Sequence, residues 1–121
     1  MITQQQVDFY RESGYLVVES LIDAALLSRL RGVVVDVLAG ARGLTTHSDV
    51  FDLEPTHRPE APRVRRIKKP HALNPVFGDV LRTPAMLDVL TKLLGPDVRM
   101  HGSKLNLKSA GFGSPVEWHQ D

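Results

Sequence analysis

The order of the local sequence patterns constrains this chain most, because helix signals fill residues 1–96 and strand-type patterns gather in residues 97–121. The clearest helix begins after Asp23, carries leucines and valines at helical spacing, and ends at Gly40. Its apolar stripe has to be buried against a sheet or another helix. Helices followed by strands are typical of an α+β fold, and the sheet is expected to be only beginning where these 121 residues end.

Capping residues and helix breakers predict the other helices. Thr3 is followed three residues later by a glutamine, which is a capping box, and Gly14 is placed to end that first helix. Asn74 and Thr83 each precede a proline, the favoured residue for the first helical position. Two short helices are therefore predicted after residue 74.

The remaining segments are predicted as strands and loops. Residues 15–18 form a short apolar, β-leaning run and predict one strand. Residues 40–63 lack periodicity and contain three prolines, so they predict a long loop that could serve as a lid. Residues 97–121 predict the first strands of a larger sheet, with a bulge or turn near Gly102, a glycine-rich loop over 109–115 and a last β-type segment over 116–121.

Composition narrows the chemistry. The chain has no cysteine, so a metal would have to be bound by His, Asp, Glu or backbone oxygen, which suits zinc or non-haem iron. The net charge of +1 gives no field that favours nucleic acid or membrane partners. The first residues lack the pattern of a signal peptide and no run is long enough to span a membrane, so a cytoplasmic protein is expected.

The last residues, "WHQD", contain two metal-ligand types two positions apart. In a strand, His119 and Asp121 would project from the same face. Together with one distant histidine, they would form the 2-His-1-carboxylate triad of non-haem iron(II) enzymes. The alternative is a solvated histidine and aspartate at a frayed chain end.

Several stretches resemble one enzyme family when they are taken together. "FYRESGYLVVESLID", "VRRIKKPHALNPVF", "LLGPDVRMHGSKLNLK" and "KLNLKSAGFGSPVEWHQD" occur in the order found in the phytanoyl-CoA dioxygenase family of iron(II)- and 2-oxoglutarate-dependent oxygenases. The resemblance implies N-terminal helices packed on the beginning of a double-stranded β-helix, a jelly-roll or cupin-like barrel. It also implies that residues 1–121 are the N-terminal part of a single domain, and that the barrel is incomplete in this chain.

The resemblance also implies specific site residues. His119 and Asp121 match the first two iron ligands of the family, and Lys68 matches a position near 2-oxoglutarate. Lys104 stands where the family often has a methionine that contacts the cosubstrate, and Asn106 lies on the same predicted strand. The implied cofactors are Fe(II) and 2-oxoglutarate, and the implied reaction is hydroxylation of an unactivated C–H bond in a small organic substrate by molecular oxygen.

Asp121 bears on the type of reaction, because related halogenases have a small residue at its position. A carboxylate there favours hydroxylation, and Asp121→Gly is expected to abolish it. The distal histidine and the arginine that binds 2-oxoglutarate in the family have no counterpart in these 121 residues, so the chain alone is expected to be inactive.

Each candidate residue has a simpler interpretation. Lys68 lies in a basic cluster that is typical of a solvated face or a phosphate-binding patch. His71 is expected to be a hydrogen-bonded structural residue, and His47 and His57 are expected to be solvated. Trp118 is expected to pack on the face opposite His119.

Three functions follow from these alternatives. The first is the oxygenase, here as a fragment. The second is a non-catalytic remnant or binding module of the same fold, and the third is a zinc hydrolase that uses His119 and Asp121.

Overall fold

The fold is given by a computed structural model that describes residues 1–119. Over this range the helices are α1 (Gln4–Ser13), α2 (Ala24–Ala39), α3 (Pro70–Leu73), α4 (Pro75–Leu81) and α5 (Pro84–Leu94). The strands are β1 (Phe51–Leu53), β2 (Val64–Lys68) and β3 (Lys104–Asn106), and they form one antiparallel sheet in the order β1-β2-β3. The mixed α+β prediction is confirmed.

The predicted helix ends are confirmed because they depend on local hydrogen bonds. Gly14 ends α1 in a left-handed conformation with φ of 81°. A residue with a side chain adopts this conformation only with strain. Four predicted caps each accept a backbone N–H from the first turn of their helix. They are Thr3, Asp23, Asn74 and Thr83.

The strand predicted over residues 15–18 is wrong. These residues alternate as a strand would, because Leu16 and Val18 pack inward while Tyr15 and Val17 remain exposed. A strand also needs the backbone of a neighbour, and within residues 1–119 no strand pairs with this run. The inward side chains instead join the apolar cluster between α1 and α5, which is formed by Ile2, Val7 and Val89.

The long loop predicted over residues 40–63 is also wrong, because β1 lies within it. Phe51 pairs with Ile67, and Leu53 pairs with Val64 after a bulge that leaves Arg65 as an extra residue in β2. Neither strand was predicted. The apolar–polar alternation of β1 spans only three residues, and the sequence of β2, VRRIK, is dominated by basic residues.

The main core lies between this hairpin and the end of α2. Ile67 and Ala41 are completely buried, and Val37 and Leu38 of α2 pack against the same cluster. Elsewhere α2 is only half-buried, and Val35 is 66% exposed. The hairpin therefore supplies most of the buried side chains of this cluster. The cluster's buried members are Ala41, Phe51, Leu53, Val64 and Ile67.

Past α5, the structure has less regular pairing than the sequence predicts. β3 pairs with β2, but residues 98–100 and 116–119 are not strands. The glycine-rich loop over 109–115 is confirmed, with Gly111 in a left-handed conformation at φ of 83°. Asp121 lies outside the described residues. Among residues 1–119, no helix has both the length and the apolar character needed to cross a membrane.

Candidate functional site

The three-stranded sheet sorts its side chains onto two faces. Alternation along each strand sends Phe51, Ile67 and Leu105 into the core, while their sequence neighbours project from the other side. Residues opposite one another across paired strands share a face. We call this second face the charged face; it consists of Asp52, Arg66, Lys68, Lys104 and Asn106.

Asp52 ties the charged face together. Its Oδ1 lies 3.2 Å from Lys68 Nζ, and its Oδ2 accepts from Arg66 Nη1 at 3.3 Å. The Nε–H of Arg66 donates to Asn106 Oδ1 at 3.1 Å, which links β2 to β3. The side chains of Lys68 and Asp52 are 33% and 23% exposed, so these charges are only partly screened by water.

The charged face carries charges of both signs. Within the part of the chain that the structure describes, Arg66, Lys68 and Lys104 contribute positive charges and Asp52 contributes a carboxylate. Directly opposed like charges, as at Lys68 and Lys104, are unfavourable in a sheet. A dianion near this face would relieve that repulsion.

The fold thus brings together three of the residues predicted for a cosubstrate site. Lys68 and Lys104 are paired across β2 and β3, and Asn106 lies two residues farther along β3. The basic cluster is not one solvated patch, because its side chains project in different directions. Arg66 and Lys68 lie on the charged face, whereas Arg63 and Arg65 reach the glycine-rich loop.

His119 is exposed, and its ring Nδ1 lies 2.7 Å from the carbonyl oxygen of Glu117. A carbonyl can only accept, so Nδ1 is the protonated nitrogen in this pairing, and in a neutral ring the lone pair would be on Nε2. Metal-binding histidines commonly donate their other ring N–H to a carbonyl in this way. Trp118 is fully exposed, so its predicted packing role is wrong over residues 1–119.

The described residues hold only part of a possible metal site. Within residues 1–119, no group of three or more His, Cys, Asp or Glu side chains is placed to hold a metal ion. His119 supplies one imidazole donor, and Asp121, which lies beyond this range, would supply a carboxylate. Nitrogen and oxygen donors of this kind would suit non-haem iron or zinc.

Three of the earlier histidines, His47, His57 and His71, make hydrogen bonds within the described structure. His71 Nδ1 lies 2.5 Å from Ser103 Oγ, which confirms the predicted hydrogen bond. The prediction that His47 and His57 are merely solvated is wrong. His47 Nδ1 accepts the N–H of Leu53 at 2.9 Å, and His57 bridges Arg63 N–H and Leu44 carbonyl oxygen at 3.0 and 2.9 Å.

Sequence reasoning missed Glu54, the one charged or polar residue in the buried set of residues 1–119. Both of its carboxylate oxygens accept from Ser114, one from the amide N–H at 3.0 Å and the other from the hydroxyl. These two bonds lower the pKa of Glu54, with smaller contributions from the positive charges of Arg65 and Lys108, while burial acts in the opposite direction. No local pattern marks this contact, because the partners are 60 residues apart.

Comparison with known proteins assigns the family. Residues 10–121 match the family described as Phytanoyl-CoA dioxygenase (PhyH). The chain belongs to this family. The resemblance seen in the sequence motifs is thereby confirmed over nearly the whole chain.

The chain is similar to several proteins that are named as dioxygenases. Over its full length it is 30% identical to the "Probable alpha-ketoglutarate-dependent hypophosphite dioxygenase" of Stutzerimonas stutzeri, of which it covers 42%. It is 28% identical to the ectoine dioxygenases of Bordetella parapertussis and Sphingopyxis alaskensis, with 99% of this chain matched and 37% of each relative covered. The chain therefore spans about two fifths of the length of the relatives it matches.

Proposed function

We propose that the protein containing this chain is an Fe(II)- and 2-oxoglutarate-dependent dioxygenase that acts on a small molecule. The family match and the names of the relatives support this class of reaction. The observation that carries it in the structure is the charged face, where Lys68, Lys104 and Asn106 are brought together by the pairing of β2 with β3. We also propose that the three-stranded sheet begins a double-stranded β-helix and that residues 1–121 belong to a single domain.

The chain would provide two metal ligands. His119 would bind iron through Nε2, since its Nδ1 donates to Glu117. Asp121 would bind through its carboxylate. When bound, iron with 2-oxoglutarate and oxygen supplies the oxidising chemistry, and the protein supplies ligands and orientation.

The charged face would hold the dicarboxylate. Lys68 offers a compact cation, and Asp52 restrains it at 3.2 Å, so less side-chain freedom is lost when an anion binds. Lys104 lies directly opposite, and Asn106 offers an amide N–H2 while its oxygen accepts from Arg66. Lys104 would provide a second cation where the family often has an apolar residue.

The substrate is proposed only by class. Hydroxylation of a C–H bond in a small organic molecule is one candidate, and ectoine, named for several relatives, has such bonds. Hypophosphite, named for another relative, has P–H bonds and no carbon. Both belong in the first panel of substrates, together with molecular oxygen.

The test uses two lysine variants of the intact protein. Lys68→Met removes the cation from the charged face, whereas Lys92→Met removes a lysine that is also paired with an aspartate at 3.2 Å but lies on α5. Losing one charged hydrogen bond is expected to weaken 2-oxoglutarate binding about 10- to 100-fold in Lys68→Met. Lys92→Met is expected to bind like the parent.

The readouts are 2-oxoglutarate affinity by calorimetry with Fe(II) under anaerobic conditions, and succinate formation with the substrate panel in air. A parent protein that neither binds 2-oxoglutarate nor forms succinate would overturn the proposed function. Equal affinity in Lys68→Met and the parent would instead remove Lys68 from the cosubstrate site.

A further inference from the structure

The segment that leads to His119 has little apolar support of its own. After β3, Leu107 packs against the main core, but Val116 is 45% exposed and Trp118 is fully exposed. Two metal ligands can share one ion only if the backbone between them and the sheet is held in place. The contacts that restrain residues 109–115 therefore matter for the ligand pair that follows.

Those contacts come from the end of the β1–β2 hairpin. Glu54, which follows β1 directly, is 4% exposed and accepts both the N–H and the O–H of Ser114. Arg65, the bulged residue of β2, donates to the carbonyl oxygen of Pro115 at 3.4 Å. The guanidinium of Arg63 lies 4.4 Å from the centre of the Phe112 ring.

Glu54 is the best placed of these restraints. It is held on the hairpin by its own backbone, whose N–H donates to the Arg63 carbonyl oxygen at 2.8 Å. Its two oxygens take both donors of one residue, which fixes the position and the rotation of Ser114. Lys108 also donates to the Ser114 carbonyl oxygen, so this peptide is held from two sides.

We infer that Glu54 is a positioning residue for the metal-ligand segment, which it holds in place through Ser114. The inference rests on the proposed function, since it gives a role to the short span of four residues, 115–118, between Ser114 and His119. Glu54 is not a ligand. It fixes the base from which His119 and Asp121 extend, so its loss allows the pair to sample positions that cannot share one ion.

The test measures how tightly the intact protein binds Mn(II) added without any cosubstrate. Electron paramagnetic resonance reports the concentration of unbound Mn(II). Glu54→Ala removes both acceptors, and Ser114→Ala removes only the hydroxyl donor. Loss of groups that orient metal ligands weakens binding by about 10- to 100-fold, so about tenfold is expected for Glu54→Ala and a smaller loss for Ser114→Ala. The double variant is expected to bind no worse than Glu54→Ala, because both side chains act in one contact.

Asp88→Ala is the matched control. It removes a carboxylate that is paired with Lys92 on α5, far along the chain from the ligand segment. This variant can lower thermal stability, but it is expected to bind Mn(II) like the parent. Binding is compared well below each melting temperature, so that a merely structural role for Glu54 would not change the affinity.

The outcomes separate the two proposals. A parent that does not bind Mn(II) overturns the proposed function, and with it this inference. A parent that binds, together with a folded Glu54→Ala variant of equal affinity, overturns the inference alone. If Glu54→Ala does not fold, Ser114→Ala decides: weaker binding supports the positioning role, and unchanged binding refutes it.

Discussion

The β1–β2 hairpin and the segment over residues 108–119 are stabilised in different ways. The hairpin buries its own apolar side chains, and Ile67 at its centre is completely inaccessible. The later segment buries little and is fixed by polar side chains that extend from the hairpin, Glu54 above all. The segment nearest the proposed metal ligands is therefore held in place by contacts from the hairpin and not by a core of its own.

This difference predicts two kinds of variant. Changes in the hairpin core should reduce the stability of the whole molecule and the ligand segment with it. Changes in the polar contacts should loosen the ligand segment while the hairpin stays folded, because local opening can cost less than global unfolding.

The largest effect is expected from Ile67→Ala. Removing most of a completely buried isoleucine leaves a cavity, and such changes lower the free energy of unfolding by about 2–5 kcal/mol. Urea denaturation of the intact protein measures it. The control is Val35→Ala on α2, where the side chain is 66% exposed, and its expected cost is within about 0.5 kcal/mol. Similar costs for both variants would contradict the assignment of the core.

A smaller effect is expected from acid. The pKa of Glu54 is lowered in the folded protein, so its carboxylate contributes stability that is fully present above the ordinary value of 4.5. That contribution is lost as the pH falls below 4.5 through the folded-state pKa, because protonation removes an acceptor from Ser114.

The matched experiment compares urea unfolding of the parent and of Glu54→Ala at about pH 7 and about pH 3. The parent is expected to lose more stability between these conditions than the variant does. Equal losses would show that the Ser114 contact does not depend on the charge of Glu54.

Sequence reasoning succeeded where structure is set locally. Thr3, Asp23, Asn74 and Thr83 cap their helices as predicted, because a cap needs only the following turn. It failed where a strand forms only if a partner distant in sequence pairs with it. Residues 15–18 carry a strand pattern without a pairing strand, and β1 was hidden among prolines because three residues give too short a pattern.

The candidate site was predictable only where a local motif marked its residues. Motif resemblance pointed to Lys68 and Lys104, strand alternation added Asn106, and the sheet register brings these three together. The resemblance did not point to Asp52 or Glu54, whose partners lie 14 to 60 residues away. Alternation in the stretch Phe51-Asp52-Leu53 was the one available signal, since it separates a buried face from a polar one.

The central claim is that His119 and Asp121 help to bind an iron ion that also carries 2-oxoglutarate. The most direct measurement is an anaerobic titration of 2-oxoglutarate into the intact Fe(II)-loaded protein, followed by the visible charge-transfer absorption of an iron(II)–2-oxoglutarate chelate. The parent is expected to develop this band up to about one equivalent of 2-oxoglutarate per iron, and Asp121→Gly is expected to lose hydroxylation. A parent without the band, or an Asp121→Gly variant that hydroxylates as well as the parent, would contradict the claim.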